Sequence, residues 1–428
     1  MQIEMFSDLA VKEKESNRTK TSGTFLDNMK LPVHRWYRYS AGFSAEWAST
    51  VVKERVKARG VVLDPFAGSG TTLLACDKVG VKSIGWESHP FVYRISSIKT
   101  NWDIDAPLFE EHVAKVLKVA KKRCTEKPSS ESPLLLKCYD ELALSRLESL
   151  RDAYEGNHKE TPEWNLVWLL ITSILRECSG AGTAQWQYVL PNKKKSRVKE
   201  PYEIFRNKSQ MFIEDIREIK TEGYKNKSAV NMFDAREPGE TDKVDLVLTS
   251  PPYPNNYDYA DATRLEMTFW GEISGWSDLQ PFVRKYLLRS CSQHSAAEKL
   301  SLDELLSDPL LVPIHEEIRP VCEKMGEIRL TKGGRKTYHT MIAAYFLDLA
   351  KIWVNLRKVC RKNSEVCFVI GDSAPYGVYV PADEWLGELA VSAGFKNPSF
   401  EKIRDRNIKW KNRKHRVPLK EGRLWLDG

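Results

Sequence analysis

Asp64-Pro65-Phe66-Ala67-Gly68-Ser69-Gly70-Thr71-Thr72 is the stretch on which the fold turns. It follows the apolar run Val61-Val62-Leu63, which reads as a short buried strand, and precedes a helical pattern from Thr71 to Val79. Two glycines around Ser69 permit a tight turn and let a ligand approach the backbone, while the helix that follows offers free N–H groups. A Walker A loop is excluded, because no lysine precedes Thr71 or Thr72. The dinucleotide fingerprint is incomplete, since no third glycine follows Gly68 and Gly70 at its position. Taken alone, such a turn can equally serve tight packing of strand on helix.

Working outward, Lys82 to Trp86 reads as a second strand ending at Glu87, and Phe91 to Thr100 as a second helix. Strand and helix in alternation imply a parallel α/β sheet. Upstream, a helical pattern runs from Ala45 to Arg59 with Gly60 as its stop. Downstream, residues 105–225 are mainly helical, with a strongly apolar segment from Trp164 to Leu175. Strands resume at Ala229–Phe233 and Val244–Leu248, and a second irregular, helix-rich stretch fills 274–337. A helix from Tyr338 to Arg361, a strand Val366–Ile370, a helix near Asp383–Ala393 and strands near Ser399–Ile403 and Arg423–Leu426 complete the chain.

One α/β core with two insertions accounts for this pattern. The expected division is a polar leader (1–28), a first core segment (29–104), a helix-rich insertion (105–225), a second core segment (226–273), a second insertion (274–337) and a final core segment (338–428).

Composition narrows the class. The 428 residues carry a net charge of +8, with 42% hydrophobic and 29% charged residues, ordinary for a globular protein. No run of 18 apolar residues spans a membrane, and the leader lacks the apolar centre of a secretory signal. Eight cysteines show neither a CxxC pair nor zinc spacing, so they read as reduced thiols of a cytoplasmic protein, and no metal is expected. Positive charge permits a polyanionic partner without requiring one.

Two strand ends carry chemistry. Asp64 and Glu87 close successive strands, where a carboxylate can accept both hydroxyls of a ribose, although either alone could cap a helix. The second strand end is Thr249-Ser250-Pro251-Pro252-Tyr253, directly after Val244–Leu248. Two prolines stop the strand and leave carbonyls without ladder partners. A serine hydroxyl and an adjacent carbonyl can together accept both hydrogens of one amino group, and Tyr253 offers a flat face for a base.

Together, DPFAGSGTT and TSPPY resemble the amino-methyltransferases that carry the (D/N/S)PP(Y/F/W) signature and modify cytosine N4 or adenine N6. The resemblance implies a doubly wound, seven-stranded Rossmann-like sheet whose first and fourth strands lie side by side. It implies S-adenosylmethionine as cofactor, held by Asp64, Phe66, Ala67, Gly68, Gly70 and Thr71, with Glu87 on the ribose and Asp234 near the adenine. Phe43, in Tyr39-Ser40-Ala41-Gly42-Phe43-Ser44, matches an early family element. Ser250, Pro251, Pro252 and Tyr253 become the catalytic segment, acting on DNA, with base flipping if the substrate is duplex. No covalent intermediate is needed. Serine at the first signature position is commoner among cytosine N4 enzymes; adenine N6 and RNA-base enzymes stay open as alternatives.

Two basic runs interleave with aromatics: Lys193 to Lys199, after Gln185-Trp186-Gln187-Tyr188, and Lys409 to Arg416. They are read as solvated loops or phosphate contacts. His34, Arg35 and His89 are expected to be structural.

Overall fold

In the computed structural model, residues 25–39, 42–183, 188–239, 241–333, 336–406 and 417–428 are described. Seven of its strands form one sheet: β1 (Val61–Asp64), β2 (Lys82–Glu87), β5 (Ser228–Met232), β6 (Val244–Thr249), β7 (Cys360–Gly371), β8 (Lys396–Arg406) and β9 (Leu419–Asp427). Their order is β5-β2-β1-β6-β7-β9-β8. The pairs β1/β2, β1/β6, β2/β5 and β6/β7 are parallel, and β9 runs antiparallel between β7 and β8. This is the Rossmann-like methyltransferase arrangement that the resemblance implied. Continuous apolar runs such as Val61-Val62-Leu63 make central strands because both faces of a parallel sheet are covered. Val62, Leu63, Val247 and Leu248 are fully buried. With β1 and β6 adjacent, strand order reverses between them, and a crevice opens at their carboxyl ends.

The helices flank this sheet. α1 (Ala45–Arg55) starts at Ser44, whose hydroxyl accepts from Trp47 N–H. It stops short of the expected Gly60, because the chain must turn back to feed β1, where Val61 N–H donates to Asp245 Oδ2 at 2.9 Å. α2 (Thr71–Val79) occupies the expected residues and ends on Gly80 at φ 79°, a left-handed position glycine takes freely. α3 (Pro90–Thr100) begins on a proline, whose missing N–H costs nothing there.

The first insertion contains α4 (Ala106–Arg123), α5 (Glu141–Glu155), α6 (Pro162–Cys178) and α7 (Pro201–Thr221). α6 is apolar over most of its surface and central: Leu166, Val167, Trp168, Leu169, Leu170 and Ile171 are fully buried, in one core with Phe91 and Ile95 of α3. A buried carboxylate ties this insertion to the N-terminal segment. Asp215 on α7 accepts from Val33 N–H, Trp36 Nε1 and the Arg35 guanidinium. That pairing gives Arg35 the structural role expected of it.

The expected mainly helical insertion also contains a small sheet that the sequence pattern does not show. A two-stranded hairpin, β3 (Ala181–Thr183) with β4 (Val189–Lys194), carries the first two lysines of the 193–199 run. Backbone pairing with a short partner overrode a sequence that lacks strand periodicity.

The second insertion does not form a separate core. Leu305, Leu311, Ile314, Ile318, Cys322 and Met325, partly on α8 (His315–Thr331), join one cluster with α9 (Tyr338–Val359) and α10 (Ala382–Ser392). No helix among the described residues is long and apolar enough to cross a membrane.

Candidate active site

Asp64 ends β1 and is 2% exposed. Its Oδ2 accepts from Thr72 Oγ1 at 2.6 Å; its Oδ1 accepts from Thr249 Oγ1 at 2.6 Å and from Phe66 N–H at 3.0 Å. The carboxylate thus binds the start of α2 and the end of β6 to β1. Burial raises its pKa to about 6, against the lowering effect of those three donors.

Glu87 ends the neighbouring β2. Its Oε2 accepts from Gly68 N–H and its Oε1 from His89 N–H, both at 2.8 Å. The Ser88 backbone N–H also faces it; all these donors are local backbone groups, and the carboxylate borders the cleft where a ligand hydroxyl can reach a remaining lone pair. Burial pushes its pKa up to about 7, and neighbouring Asp64 adds to the rise. Gly68 itself sits at φ 52°, and a Cβ there would stand 3.2 Å from the Tyr39 ring. A side chain at that position would be strained and would crowd the turn.

At the end of β6, Ser250 Oγ donates to the Val369 carbonyl of β7 at 3.1 Å. A serine hydroxyl has one hydrogen; once that hydrogen is committed, the oxygen presents only lone pairs. This is the state an acceptor for an amino group requires. The Pro252 carbonyl receives Tyr345 Oη at 2.9 Å, which anchors the double proline to α9. Tyr253 lies with the Arg406 guanidinium 5.1 Å from its ring centroid, and burial holds its phenol protonated.

A single cleft joins these strand ends. Three segments line it. The first supplies Tyr39, Phe66, Gly68, Glu87, Ser88 and His89; the second Ser250, Pro252, Tyr257, Asp258 and Tyr259; the third, from the second insertion, Arg284, Leu287, Leu288, Ser290, Cys291 and His294. Burial raises the pKa values of Tyr39, Tyr257 and Tyr259, so these rings are uncharged apolar surface at neutral pH. Tyr257 and Tyr259 meet edge to face at 4.4 Å. The residues that could hold a cofactor are therefore the Gly68 turn, Glu87 and the aromatic rings, beside the Ser250 hydroxyl.

Other residues singled out in the sequence lie elsewhere. Phe43 is buried against Trp47 in a separate cluster with α1 and does not line the cleft; Tyr39, four residues earlier in the same element, does. Gly70 caps α2 and faces Thr100 and Ser96 of α3. Ala67 and Thr71 are buried beneath the turn. Asp234 follows β5 but is occupied by Arg236, whose Nη2 reaches its Oδ2 at 2.6 Å while the same guanidinium reaches Asp348. His89, expected to be structural, lines the cleft, with Nε2 at 3.0 Å from Thr263 Oγ1 and a pKa depressed to about 3 by burial. The 409–416 run lies outside the described residues, whereas Lys193 to Lys199 are exposed.

Asp258 links three parts of the chain. It follows the Ser250–Tyr253 segment, its N–H donates to Tyr188 Oη at 2.6 Å beside the hairpin of the first insertion, and its carboxylate holds Arg284 of the second. The sequence signal available for this set was Tyr257-Asp258-Tyr259, close behind the double proline, but nothing in that triplet identifies a partner.

Comparison with known proteins finds DNA methyltransferases. A family model for N6/N4 methyltransferases, described as DNA methylase, matches residues 4–97. The Type II methyltransferase M.BsoBI of Geobacillus stearothermophilus is 25% identical over 438 residues, covering 90% of this chain and 83% of that protein. The Type II methyltransferase M.AvaI of a Nostoc strain is 24% identical, covering 89% and 82%. A shorter match, 34% over 67 residues, is to the Type II methyltransferase M.MjaII of Methanocaldococcus jannaschii. No solved structure matches the chain.

Proposed function

We propose that this chain, an amino-methyltransferase of DNA in the N4/N6 family, methylates the N4 amino group of cytosine in a base swung out of a duplex. The observation that carries this is the continuity of one cleft from Gly68 and Glu87 to Ser250 and Pro252. Two reacting groups bound in one enclosed space convert a bimolecular encounter into an oriented one.

The methyl donor of this family is S-adenosylmethionine, which when bound supplies an already electrophilic methyl group. The residues present fit it. A buried carboxylate with free lone pairs stands beside a glycine turn that a Cβ would obstruct, and aromatic rings provide a dry lining. Glu87 would accept the ribose hydroxyls, and the Gly68 turn would admit the amino-acid portion against the backbone. Phe66 and Tyr39 would cover the cofactor from solvent.

Around the target base, Ser250 Oγ and the Pro251 carbonyl accept the two amino hydrogens. This shifts the nitrogen lone pair out of conjugation with the ring and toward the incoming carbon. Commitment of the Ser250 hydrogen to Val369 removes any competing donor from that oxygen. Tyr253 stacks on the base, and the surplus proton leaves the methylated amine for solvent. The serine at the first signature position favours cytosine over adenine through the resemblance to N4 enzymes. On this reading the exposed Lys193 to Lys199 run, beside the hairpin that reaches Asp258, would meet DNA phosphates, with the first insertion reading the target.

Mass spectrometry of nucleosides from DNA of cells expressing the chain tests the product. N4-methylcytosine is expected; N6-methyladenine would move the assignment to the other amino base, and 5-methylcytosine would overturn the mechanism. Ser250→Ala should lower the methylation rate on the order of 10²–10³, as loss of one preorganised hydrogen bond does, while S-adenosylmethionine binding holds.

A further inference from the structure

Arg284 has no part in the chemistry above, yet it lines the cleft and is 2% exposed. Its Nη2 reaches Asp258 Oδ2 at 2.7 Å and its Nε reaches the same oxygen at 3.1 Å, while Trp276 packs on the guanidinium face at 4.2 Å. Asp258 is 4% exposed. A buried ion pair of this kind is a poor device for stability, because desolvating both charges offsets their attraction. The pair does something else well: it fixes a planar donor in one orientation. The two nitrogens facing Asp258 leave Nη1, with its two hydrogens, outside the pair.

What such a donor can meet follows from the neighbouring acceptors. Ser250 Oγ and the Pro251 carbonyl take the amino hydrogens of the base. Next to that amino group, cytosine carries two adjacent acceptors, N3 and O2; adenine carries N1 followed by a C–H. A guanidinium donates only, and it matches adjacent acceptors on a planar edge. Asp258 and Arg284 line the same cleft as Ser250 and Pro252, on the segment that continues from the double proline and on the second insertion.

We propose that Arg284, oriented by Asp258 and Trp276, donates from Nη1 to the N3/O2 edge of the flipped base and so selects cytosine over adenine. The second insertion then supplies base discrimination within the pocket. This inference rests on the reading of the cleft as a site for methyl transfer to a flipped base.

The test compares Arg284→Lys, which keeps the charge but loses the fork, and Arg284→Met with the wild-type chain. Measurements are S-adenosylmethionine affinity by calorimetry, affinity for unmethylated plasmid DNA at several salt concentrations, single-turnover methylation of that DNA, and the nucleosides produced. Thermal melting confirms that each variant folds; Arg284→Lys carries the test should the methionine variant fail. The expected result is unchanged cofactor affinity and salt slope, with single-turnover methylation of cytosine slowed about 10- to 100-fold in both variants, the range for removing one hydrogen bond from a charged donor. Asp258→Asn should produce a smaller loss of the same kind.

Unchanged rates would overturn the inference. So would a selective loss of cofactor affinity, which would assign Arg284 to the carboxylate of S-adenosylmethionine, or a reduced salt slope, which would assign it to a phosphate. A wild-type chain that yields no methylated nucleoside would instead strike the proposed function.

Discussion

Asp64 and Glu87 close adjacent parallel strands, both are buried carboxylates, and burial raises the pKa of both, yet they face opposite demands. Asp64 spends its oxygens on Thr72, Thr249 and Phe66, and thereby fixes the distance between the glycine turn and the double proline. Glu87 holds only local backbone N–H groups and opens onto the cleft. A carboxylate at a strand end is therefore not a site by virtue of its position. Which groups hold it, side chains of neighbouring elements or local backbone, and whether it borders the cleft decide whether it serves the fold or a ligand.

The largest effect that would break this contrast is on stability. Asp64→Ala leaves the buried Thr249 hydroxyl and the Phe66 N–H without their carboxylate, at about 1–3 kcal/mol for each unsatisfied group. The Thr72 hydroxyl keeps the Leu248 carbonyl at 3.1 Å. Urea unfolding should show a loss of about 3 kcal/mol in total, with a lower midpoint; an unaltered midpoint would show that the strand ends do not depend on Asp64.

A somewhat smaller effect belongs to Glu87. Glu87→Gln removes the charge that strengthens its hydrogen bonds and should weaken S-adenosylmethionine binding by about 10- to 100-fold with the fold retained, following the roughly 1.5–3 kcal/mol of a charged hydrogen bond. The wild-type affinity should be level above pH 7 and fall about tenfold per unit below the Glu87 pKa of about 7, because the protonated carboxyl loses an acceptor. Stability runs the other way. A carboxyl whose pKa is raised on folding contributes fully at pH values below 4.5 and loses that contribution as pH rises through about 7. Calorimetry across this range separates the two signs, and a pH-independent affinity would remove Glu87 from the cofactor site.

The smallest effect sharpens the contrast by lying outside the cleft. Replacing the exposed lysines of 193–199 by alanine should leave cofactor binding untouched and reduce the salt slope of DNA binding by roughly one for each phosphate that is no longer neutralised. A constant slope would return that run to solvent.

The sequence displayed these features unequally. The glycine turn, both strand ends and the reversal between β1 and β6 were legible, because apolar strands, glycines and prolines act locally. The contributions of Tyr39, Arg284 and His294 were not, since they reach the cleft by tertiary packing from segments without periodicity or motif. Phe43 and Tyr39 show how narrow the margin is: both are aromatic in one short element, and only the chain's path sends one to the α1 cluster and the other to the glycine turn. Asp234 looked available by its place after β5, but Arg236, two residues on, occupies it. Lysines 193 and 194 concealed a strand because cross-strand hydrogen bonds do not require apolar side chains.

The Asp258 junction has an evolutionary consequence. Its N–H is held by Tyr188 from one insertion and its carboxylate holds Arg284 from the other, so neither insertion is a detachable module. Transplanting the first insertion from a relative would carry away Tyr188 and loosen the loop that leads from the double proline. New specificities in this architecture should arise by point changes that leave Tyr188, Asp258 and Arg284 in register, rather than by exchange of whole segments.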